Sequence, residues 1–100
     1  MKILLVCSSG ASSGFIARNI RLAAAARGFE IELDARGDSA IDDYINDIDL
    51  LLVAPHLGFI YDDLKEVAEE HNVKIAMIPS ESYGTMDGNA IVDFIQEITE

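Results

Sequence analysis

One hundred residues, half of them hydrophobic, suffice for a single domain over 1–100 with a real core, and they are too apolar for disorder. The formal net charge is -11, with only Lys2, Arg18, Arg21, Arg27, Arg36, Lys65 and Lys74 as strong bases. A chain this acidic repels phosphodiester backbones and anionic headgroups, which argues against nucleic-acid binding and against direct lipid binding. Its one cysteine, Cys7, cannot form an internal disulfide, and no apolar stretch approaches the roughly 20 residues that span a bilayer. The N-terminus lacks the charged, apolar and small-residue segments of a secretory signal, so the expected setting is cytoplasmic and reducing. Any membrane association then runs through a protein partner.

Lys2 to Val6 is a short apolar run of the kind buried on both faces of a parallel sheet. A small, hydroxyl-rich turn follows, Ser8-Ser9-Gly10-Ala11-Ser12-Ser13, and helical spacing of Ile16, Ile20, Ala23 and Ala24 predicts a helix. Its expected cap is Ser12 or Ser13, and Gly28 is its expected stop. Glu30 to Ala35 alternates acidic and apolar residues, the pattern of an edge strand wet on one side. Arg36 to Ser39 reads as a turn, and Ala40 to Tyr44 as a short helix capped by Ser39. Leu50 to Ala54 is a second fully apolar strand, ended by a loop at Pro55 and His56. Ile60, Leu64, Val67 and Ala68 keep helical spacing to about His71, with Asn72 as a left-handed stop. Lys74 to Ile78 is the fourth strand, Pro79 to Gly84 a third strand-end loop, and Ile91 to Ile98 lies in a last helix starting near Asp87.

Strands alternating with helices make an α/β domain with a parallel sheet and right-handed crossovers. In such sheets ligands bind beyond the carboxyl ends of the strands. The cysteine turn, Pro55-His56 and the segment Ser80 to Thr85 all fall at that edge. Cys7 stands directly before a turn whose backbone N–H groups can converge on an anion at a helix N-terminus, where dipole and donors together would stabilise a thiolate. Its alternative is a small buried hydrophobe at a strand end. The loop has the look of Cys-x5-Arg phosphatase loops, yet Ser13 occupies the position of the arginine that clamps the transferring phosphoryl group. Such a loop can hold a phosphoryl group without passing it efficiently to water. His56 is a candidate donor or acceptor of the group, with an ordinary loop hydrogen bond as its plainer role; His71 suits the dipole at a helix C-terminus. Arg18 and Arg21 read as a solvated helix face, with contact to an acidic partner as the alternative, and Asp42, Asp43, Asp47 and Asp49 read as a solvated face too, their spacing matching no metal loop.

These residues resemble a known family. Cys7-Ser8-Ser9-Gly10-Ala11-Ser12-Ser13 after an apolar strand is similar to the Cys-Ser-x-Gly-x-Ser-Ser/Thr loop of enzyme IIB of the sugar phosphotransferase system, lactose/cellobiose (chitobiose) type. Leu52-Val53-Ala54-Pro55-His56, Tyr83-Gly84 and Asp87-Gly88 extend the resemblance along the chain, with His56 standing where the family carries glutamine and Pro79 a second departure. The resemblance implies a four-stranded parallel sheet in the order 2-1-3-4, similar to low-molecular-weight tyrosine phosphatases. It implies a protein-phosphocysteine-sugar phosphotransferase in which Cys7 takes a phosphoryl group from a phosphohistidine on a IIA protein and gives it to a sugar bound by a membrane-embedded IIC partner. The amides of Ser8, Ser9, Gly10, Ala11, Ser12 and Ser13 would cradle the phosphate, His56 and Tyr83 would be contacts from the later loops, and no cofactor or metal is required. The competing functions are a low-molecular-weight phosphatase or arsenate-reductase-like enzyme, a regulatory domain of flavodoxin-like architecture, and a IIB of the galactitol or ascorbate type.

Overall fold

Two strands that are apolar from Ile3 to Cys7 and from Leu50 to Val53 have to be covered on both faces, and the chain covers them with helices. A computed structural model describes residues 1–7 and 10–99, with the side chains of 10–13 outside the description. The strands are β1 (Lys2–Cys7), β2 (Glu32–Gly37), β3 (Leu50–Val53) and β4 (Lys74–Met77). The helices are α1 (Gly10–Ala26), α2 (Ile41–Tyr44), α3 (Tyr61–Glu70), α4 (Ser80–Gly84) and α5 (Gly88–Thr99). All strand pairs are parallel and the order is β2-β1-β3-β4, as expected. The apolar strands β1 and β3 are the central pair and the alternating segment is an edge.

Strand parity divides the core. Ile3, Leu5, Leu50 and Leu52 face α1 and α5, where they meet Ile16, Ile20, Ala24, Ile91 and Ile95. Leu4, Val6, Leu51 and Val53 face the other way, onto Ile41, Ile45, Leu57, Leu64 and Ala68. Both layers are close to fully buried, so the hydrophobic gain is spread over two thin cores on either side of the sheet.

The helix stops follow the predicted chemistry. Gly28 has φ 69, with Gly28 N–H bonded to Ala25 O (3.1 Å) and Phe29 N–H to Ala24 O (2.9 Å), the paired bonds of a left-handed helix terminus. Asn72 repeats the arrangement at φ 58, with Val73 N–H on Ala68 O at 2.8 Å. The Asp87 carboxylate caps α5 by accepting from the Ala90 N–H at 3.0 Å.

Several expectations need correction. Helix α1 begins at Gly10 rather than at Ser12 or Ser13. Apolar periodicity detects only where a helix first enters the core, at Ile16, and its earlier turns carry no such signal. Strand β2 runs from Glu32 to Gly37, so Arg36 and Gly37 are strand, and Ser39 lies inside a 3-10 turn (Asp38–Ala40) that precedes α2 without a side-chain cap. The loop predicted at Pro79 to Gly84 is the helix α4, and Pro55-His56 opens a 3-10 turn reaching Ile60. Arg21 is no idle solvated side chain, since its Nε (3.0 Å) and NH2 (2.7 Å) both donate to the Leu33 carbonyl. Glu32 N–H points inward to Met1 O, so strand alternation places the Leu33 carbonyl on the open edge of β2, which Arg21 thereby covers.

Candidate functional site

Cys7 is the last residue of β1, three positions ahead of the first residue of α1. Only residues 8 and 9 separate a central strand from the N-terminus of a 17-residue helix whose opening N–H groups have no partner within the helix. Parity sends the Cys7 side chain to the α1/α5 face of the sheet, after Ile3 and Leu5. The residue is 1% exposed, and its Sγ donates to the Arg36 carbonyl at 3.7 Å. Of the expected phosphate cradle, Ser8 and Ser9 lie outside the described residues, and Gly10, Ala11, Ser12 and Ser13 are described as helical backbone alone.

Tyr83 sits on α4, packed against the same α1/α5 core, and its N–H bonds to Pro79 O at 3.0 Å. Burial pushes its phenol above the ordinary tyrosine value, and the negative charge of the Cys7 thiolate pushes it further in the same direction. The hydroxyl therefore stays protonated and able to donate. His56, one residue into the turn after β3, meets the Tyr83 ring edge-on, with centroids 5.6 Å apart and planes at 60°. The C-terminal ends of β3 and β4 thus bring the His56 and Tyr83 rings into contact, and Tyr83 comes within electrostatic reach of Cys7, 76 positions away in sequence.

Other candidates go elsewhere. The guanidinium of Arg36, whose carbonyl receives the thiol, turns away to the Tyr44 hydroxyl (3.0 Å) and the Ala35 carbonyl (2.8 Å). His71 ends α3 with Nδ1 2.9 Å from Val67 O, and Asp49 accepts the Lys2 N–H at 2.9 Å from the opposite end of the sheet. Among the described residues no three His, Cys, Asp or Glu side chains cluster as metal ligands. No local pattern signals Asn19, whose amide donates to Met86 O at 2.9 Å and ties α1 to the turn following Tyr83. A left-handed Met86, at φ 53, was its only possible trace, and methionine does not advertise that conformation.

The profile of the family described as PTS system, Lactose/Cellobiose specific IIB subunit, matches residues 2–94. The chain belongs to this family. It is 31% identical over 87 residues to the oligo-beta-mannoside-specific EIIB component of the phosphotransferase system of Bacillus subtilis (strain 168), covering 87% of this chain and 84% of that protein. It is 30% identical to a lactose-specific EIICB component of Staphylococcus haemolyticus, covering 95% of this chain but only 17% of that longer protein. The lactose-specific IIB domain of Streptococcus pneumoniae has the same fold, with a TM-score of 0.86 at 21% identity over 97% of this chain and 95% of that one. A cellobiose-specific IIB component of Borrelia burgdorferi aligns with a TM-score of 0.76 at 27% identity, over 93% and 85%. This IIB chain is therefore a sugar phosphotransfer component of the lactose/cellobiose type. Among its described residues no helix is long and apolar enough to cross a membrane.

Proposed function

We propose that Cys7 is a temporary phosphoryl carrier between proteins. The thiolate sulfur attacks the phosphorus of a phosphohistidine on a IIA protein; the S–P bond forms, the N–P bond breaks, and the electron pair returns to the imidazole. In the second half a sugar hydroxyl attacks the same phosphorus at a IIC partner, the sulfur leaves as thiolate, and the hydroxyl proton passes to solvent. The sugar class is the lactose, cellobiose and chitobiose group of the family, and the setting is cytoplasmic and peripheral to the membrane through IIC.

The observation that carries this reading is the place of the only cysteine, at the carboxyl end of a central strand and just ahead of a helix N-terminus, in a chain of the IIB family. Backbone N–H groups of Ser8 to Ser13 then receive the phosphoryl oxygens. Serine at position 13 leaves the charge of the transition state uncompensated within the chain, so the missing charge comes from the partner, as an arginine finger acts in trans.

The test is incubation with a phosphorylated IIA protein, followed by intact mass and by an aryl phosphate assay on the same preparation. A carrier gains one phosphoryl group and keeps it, with negligible aryl phosphate turnover. Steady turnover that vanishes in Cys7→Ala would establish a phosphatase instead.

A further inference from the structure

Strand β2 lies at an edge of the sheet, and an edge strand offers its outward-facing backbone groups to any strand that can reach them. In a parallel ladder the N–H and C=O of one residue point the same way, and the direction alternates along the strand. Glu32 N–H bonds inward to Met1 O, and the Arg36 carbonyl also lies inward, where it accepts from Cys7 Sγ. The outward residues between them are Leu33 and Ala35, and the carbonyls of both are occupied by arginine. Arg21 gives the Leu33 carbonyl two bonds, from Nε at 3.0 Å and Nη2 at 2.7 Å, and Arg36 Nη1 reaches the Ala35 carbonyl at 2.8 Å.

The two guanidinium groups are held from different helices. Arg21 stands on α1, while Arg36 is steadied by α2, with its Nε on the Tyr44 hydroxyl at 3.0 Å and its Cζ 5.7 Å from the centre of the Tyr44 ring. Each bond to a carbonyl is charge-assisted and about twice as strong as one between neutral groups. A backbone N–H from an incoming strand has only a neutral bond to offer in exchange. At the other edge β4 has four residues against six in β2, so β2 is the edge that most needs closing.

We propose that Arg21 and Arg36 close β2 to strand addition by a second copy of this chain. A second copy is the occupant that fits the bare edge. Antiparallel pairing about a two-fold axis at Asp34 sets Leu33 opposite Ala35 of the second copy, and Ala35 opposite its Leu33, and these pairs use both of the capped carbonyls. The same register sets Glu32 opposite Arg36 of the second copy, so that opposite charges face each other twice, and only Asp34 meets its own image.

The proposal stands apart from the carrier reading, and its test involves no phosphoryl transfer. The wild-type chain, Arg21→Met, Arg36→Met, the double variant and Lys65→Met are compared by sedimentation equilibrium from dilute to concentrated solution. Amide hydrogen exchange at Leu33 and Ala35 is followed by NMR on the same samples. Lys65, exposed on α3, is the control for losing one base and gaining one exposed methionine. Losing one base takes the net charge from -11 to -12, which by itself opposes association. The wild type and Lys65→Met are expected to stay monomeric, with fast exchange at both outward amides. Arg21→Met raises the dimerisation constant by about tenfold or more over the wild-type limit, the worth of one regained bond on either side of the axis. Arg36→Met raises it less, because it also removes the charge facing Glu32. In the double variant both amides gain protection as concentration rises. Urea midpoints in dilute solution establish which variants fold; if Arg36→Met does not, Arg21→Met against Lys65→Met carries the comparison. Variants without Arg21 that stay as monomeric as the wild type, equal self-association of Lys65→Met, or protection that appears elsewhere than at Leu33 and Ala35 each overturn the proposal. A wild-type chain already paired through β2 overturns it too.

Discussion

Replacing Gly88 by alanine puts one methyl group where α5 crosses α1. A Cβ built there falls 2.5 Å from the carbonyl carbon of Asn19, 3.1 Å from its Cβ and closer still to its carbonyl oxygen. Carbon atoms in good contact stand about 3.5–4.0 Å apart, so the helices must separate by about 1 Å at this point. The neighbour is backbone, and no side chain can swing aside to absorb the change. A gap of that size forfeits a quarter to a half of the dispersion well for each pair it opens, and Ile91, Val92 and Ile95 all pack across this interface. Overpacking of this kind costs about 3 kcal/mol, from which the better helix propensity of alanine recovers up to about 1 kcal/mol. The net loss of about 2 kcal/mol should lower the thermal midpoint by roughly 8–16 °C and the urea midpoint by about 1–2 M at unchanged slope. Gly84→Ala is the control, because a Cβ at Gly84 meets nothing within 4 Å. Equal stability of Gly88→Ala and Gly84→Ala would refute the close crossing.

Three further outcomes follow from named contacts. Asp87→Ala removes the side-chain cap on the Ala90 N–H and should cost about 1 kcal/mol by urea unfolding, with Asp87→Asn retaining most of it. Arg21→Met uncovers the Leu33 carbonyl at the edge of β2; a loss of about 1 kcal/mol is expected, and Arg21→Lys should recover only part of it, having lost the forked donor. Tyr83 should ionise above the ordinary tyrosine value in an ultraviolet titration referenced to Tyr83→Phe, and Cys7→Ala should lower its midpoint while leaving the larger part, due to burial. The linkage has a definite sign: the native phenol holds its proton more tightly than the unfolded one, so this stability is complete below pH 10 and is lost as pH rises through the native value.

How much of this was legible in the sequence depended on the range of the interaction. Gly28, Asn72 and Asp87 punctuate helices through bonds to residues within five positions, and each does what its chemistry announced. The apolar runs at Ile3 and Leu50 and the alternation around Leu33 identified central and edge strands, because burial on two faces or one leaves its own pattern. Helix α4 was hidden because five residues are too few to show a period, and its stability comes from packing on α5 rather than from propensity. Arg21, Arg27 and Asn19 find their partners 12 to 69 positions away, with Arg27 reaching Asp93, Gln96 and the Asn89 carbonyl on α5. No local pattern announces such bonds. At the site, Cys7 stood out as a lone thiol before a hydroxyl-rich turn, whereas the contact of His56 with Tyr83 exists only because two strand ends lie side by side.

The central claim concerns one atom, the sulfur of Cys7. The direct measurement is the location and chemistry of the adduct after exposure to a phosphorylated IIA protein, by peptide mapping and by phosphorus NMR of the intact chain. One phosphoryl group on the peptide containing Cys7, with the resonance of phosphorus bound to sulfur and absent from Cys7→Ser, is the predicted result. A phosphoryl group that persists in folded Cys7→Ser, on His56 or on any other side chain, would contradict it.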